Sequence, residues 1–261
     1  MYAFDYKRAT DLNEAVSALA DDDQAQALAG GMTLIPALKH RLANPSRLVD
    51  IGRLAQLRGI ALEGERVRIG AATPHQQVAD DPVVNRAVPG LAQLAGLIGD
   101  PQVRACGTLG GSVANNDPAA DYPAAVLALD GRVVTSTREI EAQAFFLGMF
   151  ATALASGELI TAISFRAARR SAYAKFRHPA SGYAMAGVFV ADLGADGLRV
   201  AVIGVAGGVF RWHHAEQAWA AGTAAPALSR DDILDDIHAP ARYRAHLAGV
   251  LLEDALAQLA A

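Results

Sequence analysis

"VRACGTLGGSVANNDPAADYPAA", Val103 to Ala125, holds three glycines close together, followed by small polar residues and two aspartates. A chain carries so few bulky side chains where the backbone turns tightly or where another group must approach it. A second stretch has the same character. In "AQALAGGMTLIPALKHRL" a small apolar run, Ala25 to Ala29, reads as a buried strand, and Gly30-Gly31 breaks it. Leu34, Ile35, Leu38 and Leu42 then resume at helical spacing, with Pro36 tolerated near the helix start. Strand, glycine turn and helix follow one another. Such a helix start leaves free N–H groups that favour anions, phosphate above all. Thr33 could add a hydroxyl donor, and Gly110-Gly111 with Thr108 and Ser112 offers a second set of N–H and O–H donors. Two such loops suit a pyrophosphate, because glycine lets it lie against the main chain with no Cβ in the way. Asp121 could accept from a ribose or ribityl hydroxyl. On spacing alone, two tight turns without any ligand stand equally open.

Composition narrows the field by exclusion. The 261 residues allow one large domain or two ordinary ones, and a hydrophobic content of 52% allows a sizeable core. The formal net charge of −4 gives no global pull toward nucleic acid or an anionic membrane. Asp21 to Asp23, and Asp231, Asp232, Asp235 and Asp236, read as solvated helix edges. The single cysteine, Cys106, excludes an intrachain disulfide, a Cys-rich zinc site and a cysteine-ligated iron–sulfur cluster, and it reads as a small buried thiol. The seven histidines lack zinc-site spacing, so no metal site is expected; His213-His214 reads as an exposed loop. No G-x-G, no Gly-Lys pair and no G-x-S-x-G occurs, which removes the Rossmann fingerprint, the P-loop and the nucleophile elbow. No acid–base or nucleophile constellation stands out, and no catalytic residue is assigned. The start "MYAFDYKRAT" lacks the apolar core of a signal peptide, and the apolar stretch between Glu141 and Glu158 falls short of the roughly 20 residues that span a bilayer. A soluble, cytoplasmic protein is expected.

Along the chain, "TDLNEAVSALAD" reads as a helix with a capping box between Asp11 and Glu14. "RLVDI" and "RVRIGAAT" read as strands, and "GLAQLAGLIG" and "YPAAVLAL" as helices. "RVVTST" and "LITAISF" read as strands on either side of a helix, "AQAFFLGMFATAL". Arg166 to Ser171 is a plausible linker. Beyond it "YAKFRH", "YAMAGVFVADL" and "ADGLRVAVIGVAGG" read as consecutive antiparallel strands, with Asp196-Gly197 a hairpin turn. The tail from about Asp231 reads as mostly helical. The pattern predicts an α/β domain of about 165 residues and an α+β domain of about 95.

"AGGMTLIPALKHRL" together with "GDPQVRACGTLGGSVANNDPAADYPAAVLALDG" resembles the flavin-binding subunit of the molybdenum hydroxylases: the medium subunits of carbon monoxide dehydrogenase-type enzymes and the module fused into xanthine dehydrogenase. The likeness continues through "FFLGMFATALASGELITAISF", "YAKFRHPASGYAMAGVFV" and "APARYRAHLAGVLLEDAL". It implies an α+β fold: a two-subdomain FAD-binding domain of the vanillyl-alcohol-oxidase-like (PCMH) type over residues 1–167, then a small C-terminal domain with an antiparallel sheet over residues 171–261. It implies FAD held by Ala29, Gly30, Gly31, Met32 and Thr33 in the first loop, and by Thr108, Gly110, Gly111, Ser112, Asn115 and Asp121 in the second. Ile98 and Ile160 would lie near the isoalloxazine, Lys175 would reach the flavin from the C-terminal domain, and Tyr183 is a weaker candidate for a ring near its face. Ser112 stands where many relatives have asparagine or aspartate, and "RHPASGYA" lacks an aspartate that many carry before the aromatic. The resemblance further implies an electron-transferring oxidoreductase subunit working with a [2Fe–2S] small subunit and a molybdopterin-containing large subunit. Electrons would pass to NAD, a quinone or oxygen, and substrate chemistry would occur in a partner. The alternatives are a stand-alone flavin oxidase or reductase on the same fold, and a non-catalytic assembly subunit.

Overall fold

Arg47–Asp50 lies between Asp5–Arg8 and Gln26–Leu28 in a parallel three-stranded sheet, one of three larger sheets and a two-stranded hairpin in a computed structural model that describes residues 1–260. Ala261, where the expected second domain ends, lies outside the described residues. Helix Leu12–Ala20 links the first two strands. Asp11 caps it by accepting from the Glu14 N–H at 2.9 Å, while the Glu14 carboxylate reaches back to the N–H and hydroxyl of Thr10, one residue further out than a closed capping box. Ala15, Ala18 and Leu19 pack against Val49, Ile51 and Leu54. The second connection is Gly30-Gly31 and the helix Leu34–Lys39. Leu42 is not part of that helix: Arg41 turns the chain at φ 59°, and Leu42 is 82% exposed.

The second sheet is antiparallel throughout, in the order Ile60–Glu63, Arg66–Gly70, Ile160–Arg166, Arg132–Thr135, Glu139–Glu141. The first 165 residues are therefore not the α/β unit that alternating strands and helices suggested. Short helices between Gly70 and Arg132, among them Pro89–Gly96, Pro101–Cys106, Leu109–Asn115 and Tyr122–Ala128, separate strands that pair with later ones rather than with each other. Val67, Ile69, Ile163 and Phe165 of this sheet join Leu91, Leu94, Leu109 and Val126 of those helices in one core.

"AQAFFLGMFATAL" is a second departure. Its helix stops at Phe145, and Phe146–Gly148 pairs with Ala151–Thr152 as a hairpin. The turn puts Gly148 at φ 144° and Phe150 at φ 54°. Asn116, itself left-handed at φ 44°, donates from its amide to the Gly148 and Ala151 carbonyls at 2.8 Å, and its carbonyl accepts from the Phe150 N–H at 3.1 Å. A remote side chain thus overrides local helix propensity.

In the third sheet Arg170–Arg177, Ala184–Asp192, Leu198–Ile203 and Phe210–Arg211 follow one another antiparallel, with Gly197 at φ 78° in the turn. Alternation sends Ala172 and Ala174 to the face covered by helix Ala241–Ala260, through Leu247, Ala248 and Leu251. Tyr173 and Phe189 point the other way, into the core they share with the five-stranded sheet. The expected helical tail begins only at Ala241. The acidic residues before it lie in a loop, where Asp236 accepts from Arg244 at 2.8 Å. His213 opens the helix His213–Ala220 rather than sitting in a loop, and Cys106 is exposed rather than buried. Among the described residues no helix is long and apolar enough to cross a membrane.

Candidate functional site

The two glycine turns touch. A Cβ built on Gly30 would stand 2.0 Å from the Cys106 carbonyl oxygen and 2.8 Å from the Gly107 Cα. Only a glycine permits that approach, so the first function of Gly30 is to let one loop lie on the other. Gly31 follows at φ 71°, a left-handed conformation that costs any other L residue about 1–2 kcal/mol. The carbonyls of Gly31 and Thr33 accept from Ile35 and Ala37 at the start of the next helix. The N–H groups of Gly30, Gly31, Met32 and Thr33 have no acceptor among the described residues. Four consecutive unpaired amides at the mouth of a helix make an anion cradle.

The second turn differs. Thr108 caps helix Leu109–Asn115, its hydroxyl accepting from the Gly111 N–H at 3.3 Å. The Leu109 and Gly110 N–H groups donate to the carbonyls of Thr73 and Ala71, and Ser112 donates to Thr108. These amides are satisfied within the protein. A Cβ on Gly110 would come within 2.5 Å of the Ala71 Cβ, whereas one on Gly111 would meet only the Thr108 hydroxyl, at 2.9 Å. Gly110 is thus a packing glycine, and Gly111 the one with an open face. The Ser112 hydroxyl has no protein partner among the described residues.

His75 supports this turn from beneath. It is buried, its Nδ1 lies 3.2 Å from the Tyr122 hydroxyl, and its Nε2 would be 2.7 Å from a Cβ on Gly107. Burial, with Arg104 nearby, pulls the imidazole down to about 4, so it is neutral at neutral pH.

Asp121 ends the second stretch at the start of helix Tyr122–Ala128, yet its carboxylate caps nothing there. It turns to the strand Arg170–Arg177 instead. Tyr173 donates its hydroxyl to Oδ1 at 2.6 Å, and Lys175 Nζ lies 2.8 Å from Oδ1 and 3.1 Å from Oδ2. Both side chains of the ion pair are buried, at 6% and 1% exposure. Burial pushes the Asp121 carboxyl up, against the opposing pull of Lys175, Tyr173 and Arg177. Lys175 has three N–H donors and this one carboxylate, so one N–H remains available.

The remaining expected residues fall at different depths. Ala29 precedes the cradle, and Met32 and Thr33 are exposed on it. Asn115 is half-buried, and the amide that holds the neighbouring hairpin belongs to Asn116. Ile98 is half-buried, while Ile160 is packed in the core opposite Thr135. Tyr183 is 44% exposed; burial pushes its phenol up, Asp117 adds to this, and the Thr33 side chain pulls it down. Sequence reading missed Tyr173, His75 and Asn116. The two-residue spacing of Tyr173 and Lys175 on one strand was the available signal. Among the described residues no group of three metal-ligating side chains occurs.

The unpaired amides, the open face of Gly111 and the spare ammonium N–H together fit a phosphate-bearing, polar-edged cofactor such as FAD. Residues 2–165 match the family described as "FAD binding domain in molybdopterin dehydrogenase". The chain is 33% identical to the carbon monoxide dehydrogenase medium chain of Hydrogenophaga pseudoflava, over 97% of this chain and 96% of that one. It is 31% identical to the nicotine 6-hydroxylase medium subunit of Paenarthrobacter nicotinovorans, over 99% and 98%. Its fold superimposes on a chain of reconstituted CO dehydrogenase from Oligotropha carboxidovorans with a TM-score of 0.92, at 31% identity, covering 99% of this chain and 98% of that one. For quinoline 2-oxidoreductase from Pseudomonas putida 86 the TM-score is 0.88 at 27% identity, covering 99% and 97%.

Proposed function

Because the chain belongs to the family of FAD-binding domains in molybdopterin dehydrogenases, we propose that FAD lies across the two glycine turns, with its pyrophosphate on the amides of Gly30 to Thr33. Those four unpaired amides, pressed against the second turn, carry the reading. Thr33 adds a hydroxyl, and Gly111 with Ser112 supplies an open face and a free hydroxyl on the far side. Ala29, Gly110 and Thr108 hold the two backbones in place. Asn115 and Asp121 border the ribityl side, Ile98 and Ile160 back the ring system, and Lys175 donates its spare N–H. Tyr183 stands over the first loop as a cover. The fold is of the PCMH type over residues 1–167, followed from residue 171 by a C-terminal unit that shares a core with it.

When bound, the flavin would supply the redox chemistry between a [2Fe–2S] partner subunit and NAD, a quinone or oxygen. Substrate hydroxylation falls to a molybdopterin-containing large subunit; the family description names a molybdopterin dehydrogenase, and the relatives are named as a medium chain and a medium subunit. This chain binds, orients and electrostatically tunes the cofactor. An absorption spectrum of the purified chain before and after incubation with FAD tests the reading. The absorption bands of an oxidised flavin, in the near-ultraviolet and the blue, are expected. A colourless protein that takes up no FAD overturns it.

A further inference from the structure

Tyr173 lies outside every glycine motif, yet it is the residue most closely fitted to Asp121. It is fully buried, and its ring packs on Phe189, its partner across the strand pair, with centroids 6.2 Å apart. Its N–H donates to the Gln93 side chain at 3.1 Å, which fixes the strand at that point. Space for the hydroxyl comes from Gly187, the register partner of Lys175: a Cβ there would stand 2.6 Å from the Tyr173 oxygen. A side chain at position 187 would push the phenol off the carboxylate. Tyr173 and Lys175, two residues apart, therefore reach Asp121 from one face of one strand, and the phenol holds the oxygen that the ammonium also contacts.

We propose that Tyr173 is a positioning residue for the flavin site: by clamping Asp121 Oδ1 it holds the Lys175 ammonium in one orientation, leaving its remaining N–H free for an acceptor on the cofactor. The proposal rests on the FAD reading above. Without the phenol, Asp121 keeps only Lys175 as a strong donor, and the ammonium is drawn toward the uncompensated oxygen. The other titratable groups facing Asp121 are Tyr122 beside it, Arg177 on the same strand, and Tyr183. None of them donates to the carboxylate, so none replaces the clamp.

The test is a double-mutant cycle on the full chain, with FAD affinity read by quenching of flavin fluorescence and folding checked by thermal melting. Tyr173→Phe keeps the ring and should weaken FAD about tenfold, the scale of one hydrogen bond to a charged group. In a Lys175→Met background the same substitution should change affinity less than about twofold, because the orientation it controls is gone. Penalties that simply add would overturn the proposal. A second measurement needs no lysine variant. The Tyr173 hydrogen bond favours the ionised carboxylate, so in Tyr173→Phe the acid fall-off of FAD affinity should move to higher pH. A uniform loss at every pH would mean that Tyr173 only supports the fold, and would overturn the proposal even if Lys175→Met fails to fold. Failure of the unmodified chain to bind FAD at any pH is a different result: it removes the FAD reading, and this proposal with it.

Discussion

Gly30-Gly31 precede one short helix and Gly110-Gly111 sit in the first turn of another, yet they present their backbones in opposite ways. At the first turn four successive amides are left without an acceptor. At the second, the amides of Leu109, Gly110, Gly111 and Ser112 are all taken by Thr73, Ala71 and Thr108. Within each pair the glycines also divide. Gly30 and Gly110 are forced by protein atoms at 2.0 and 2.5 Å, while Gly31 is required by its φ of 71° and Gly111 meets only a hydroxyl. A glycine pair is therefore not a phosphate site by virtue of being a glycine pair. In each pair the first glycine is packed against protein atoms; of the second members only Gly111 has an open face, because a Cβ on Gly31 would meet the Ile35 and Leu28 side chains at 2.9 and 3.2 Å.

Gly30→Ala should break the comparison most severely, because its Cβ would lie inside the Cys106 carbonyl group and the two loops would have to separate. The expected cost is more than about 3 kcal/mol of stability, with FAD binding lost as a consequence. Gly110→Ala collides with Ala71 at the end of a sheet strand and should cost about 2 kcal/mol. Urea unfolding of the two variants measures both. A Gly30→Ala chain as stable as the unmodified one would mean that the loops do not touch as described.

Much of this was legible in advance, and the illegible part has a pattern. Strand-and-turn chemistry located Arg132–Thr135, Ile160–Arg166 and the three long strands of the C-terminal sheet, because alternation and Gly197 are local signals. The order of the two glycine stretches, with their flanking residues, pointed to the cofactor. What could not be read was decided by residues far away in sequence. Gly30 owes its identity to Cys106, and Gly110 to Ala71. The Phe146–Thr152 region becomes a hairpin because Asn116 holds it. Asp121 read as a ligand residue, and its carboxylate is engaged by Tyr173 and Lys175, more than 50 positions on. Local patterns mark where the backbone bends; they do not say which atoms fill the bend.

His75 offers a pH-controlled way to sharpen the contrast, since it lies under the second turn only. Its folded value of about 4 is below the ordinary 6.5, so the folded state favours the neutral ring. The stability this contributes is complete above pH 6.5 and is lost as pH falls toward 4. At pH 5 the loss from this one group is about 2 kcal/mol. His75→Gln should flatten that part of the stability–pH curve in urea titrations between pH 7 and pH 5. An unchanged slope would show that the imidazole is not held neutral beneath Gly107.

The smallest effect on stability is expected at Gly111, and it separates folding from binding most cleanly. Its position lies in the first turn of helix Leu109–Asn115, where alanine is intrinsically better than glycine by about 1 kcal/mol. The one close contact is the Thr108 hydroxyl, and displacing that cap costs a similar amount. Gly111→Ala should therefore stay within about 0.5 kcal/mol of the unmodified chain. Gly111→Val puts a branched side chain on the open face and should abolish FAD binding in a chain that still melts cooperatively. If FAD affinity is instead unchanged, the second turn serves only as the bed on which Gly30 rests, and the first turn alone holds the pyrophosphate.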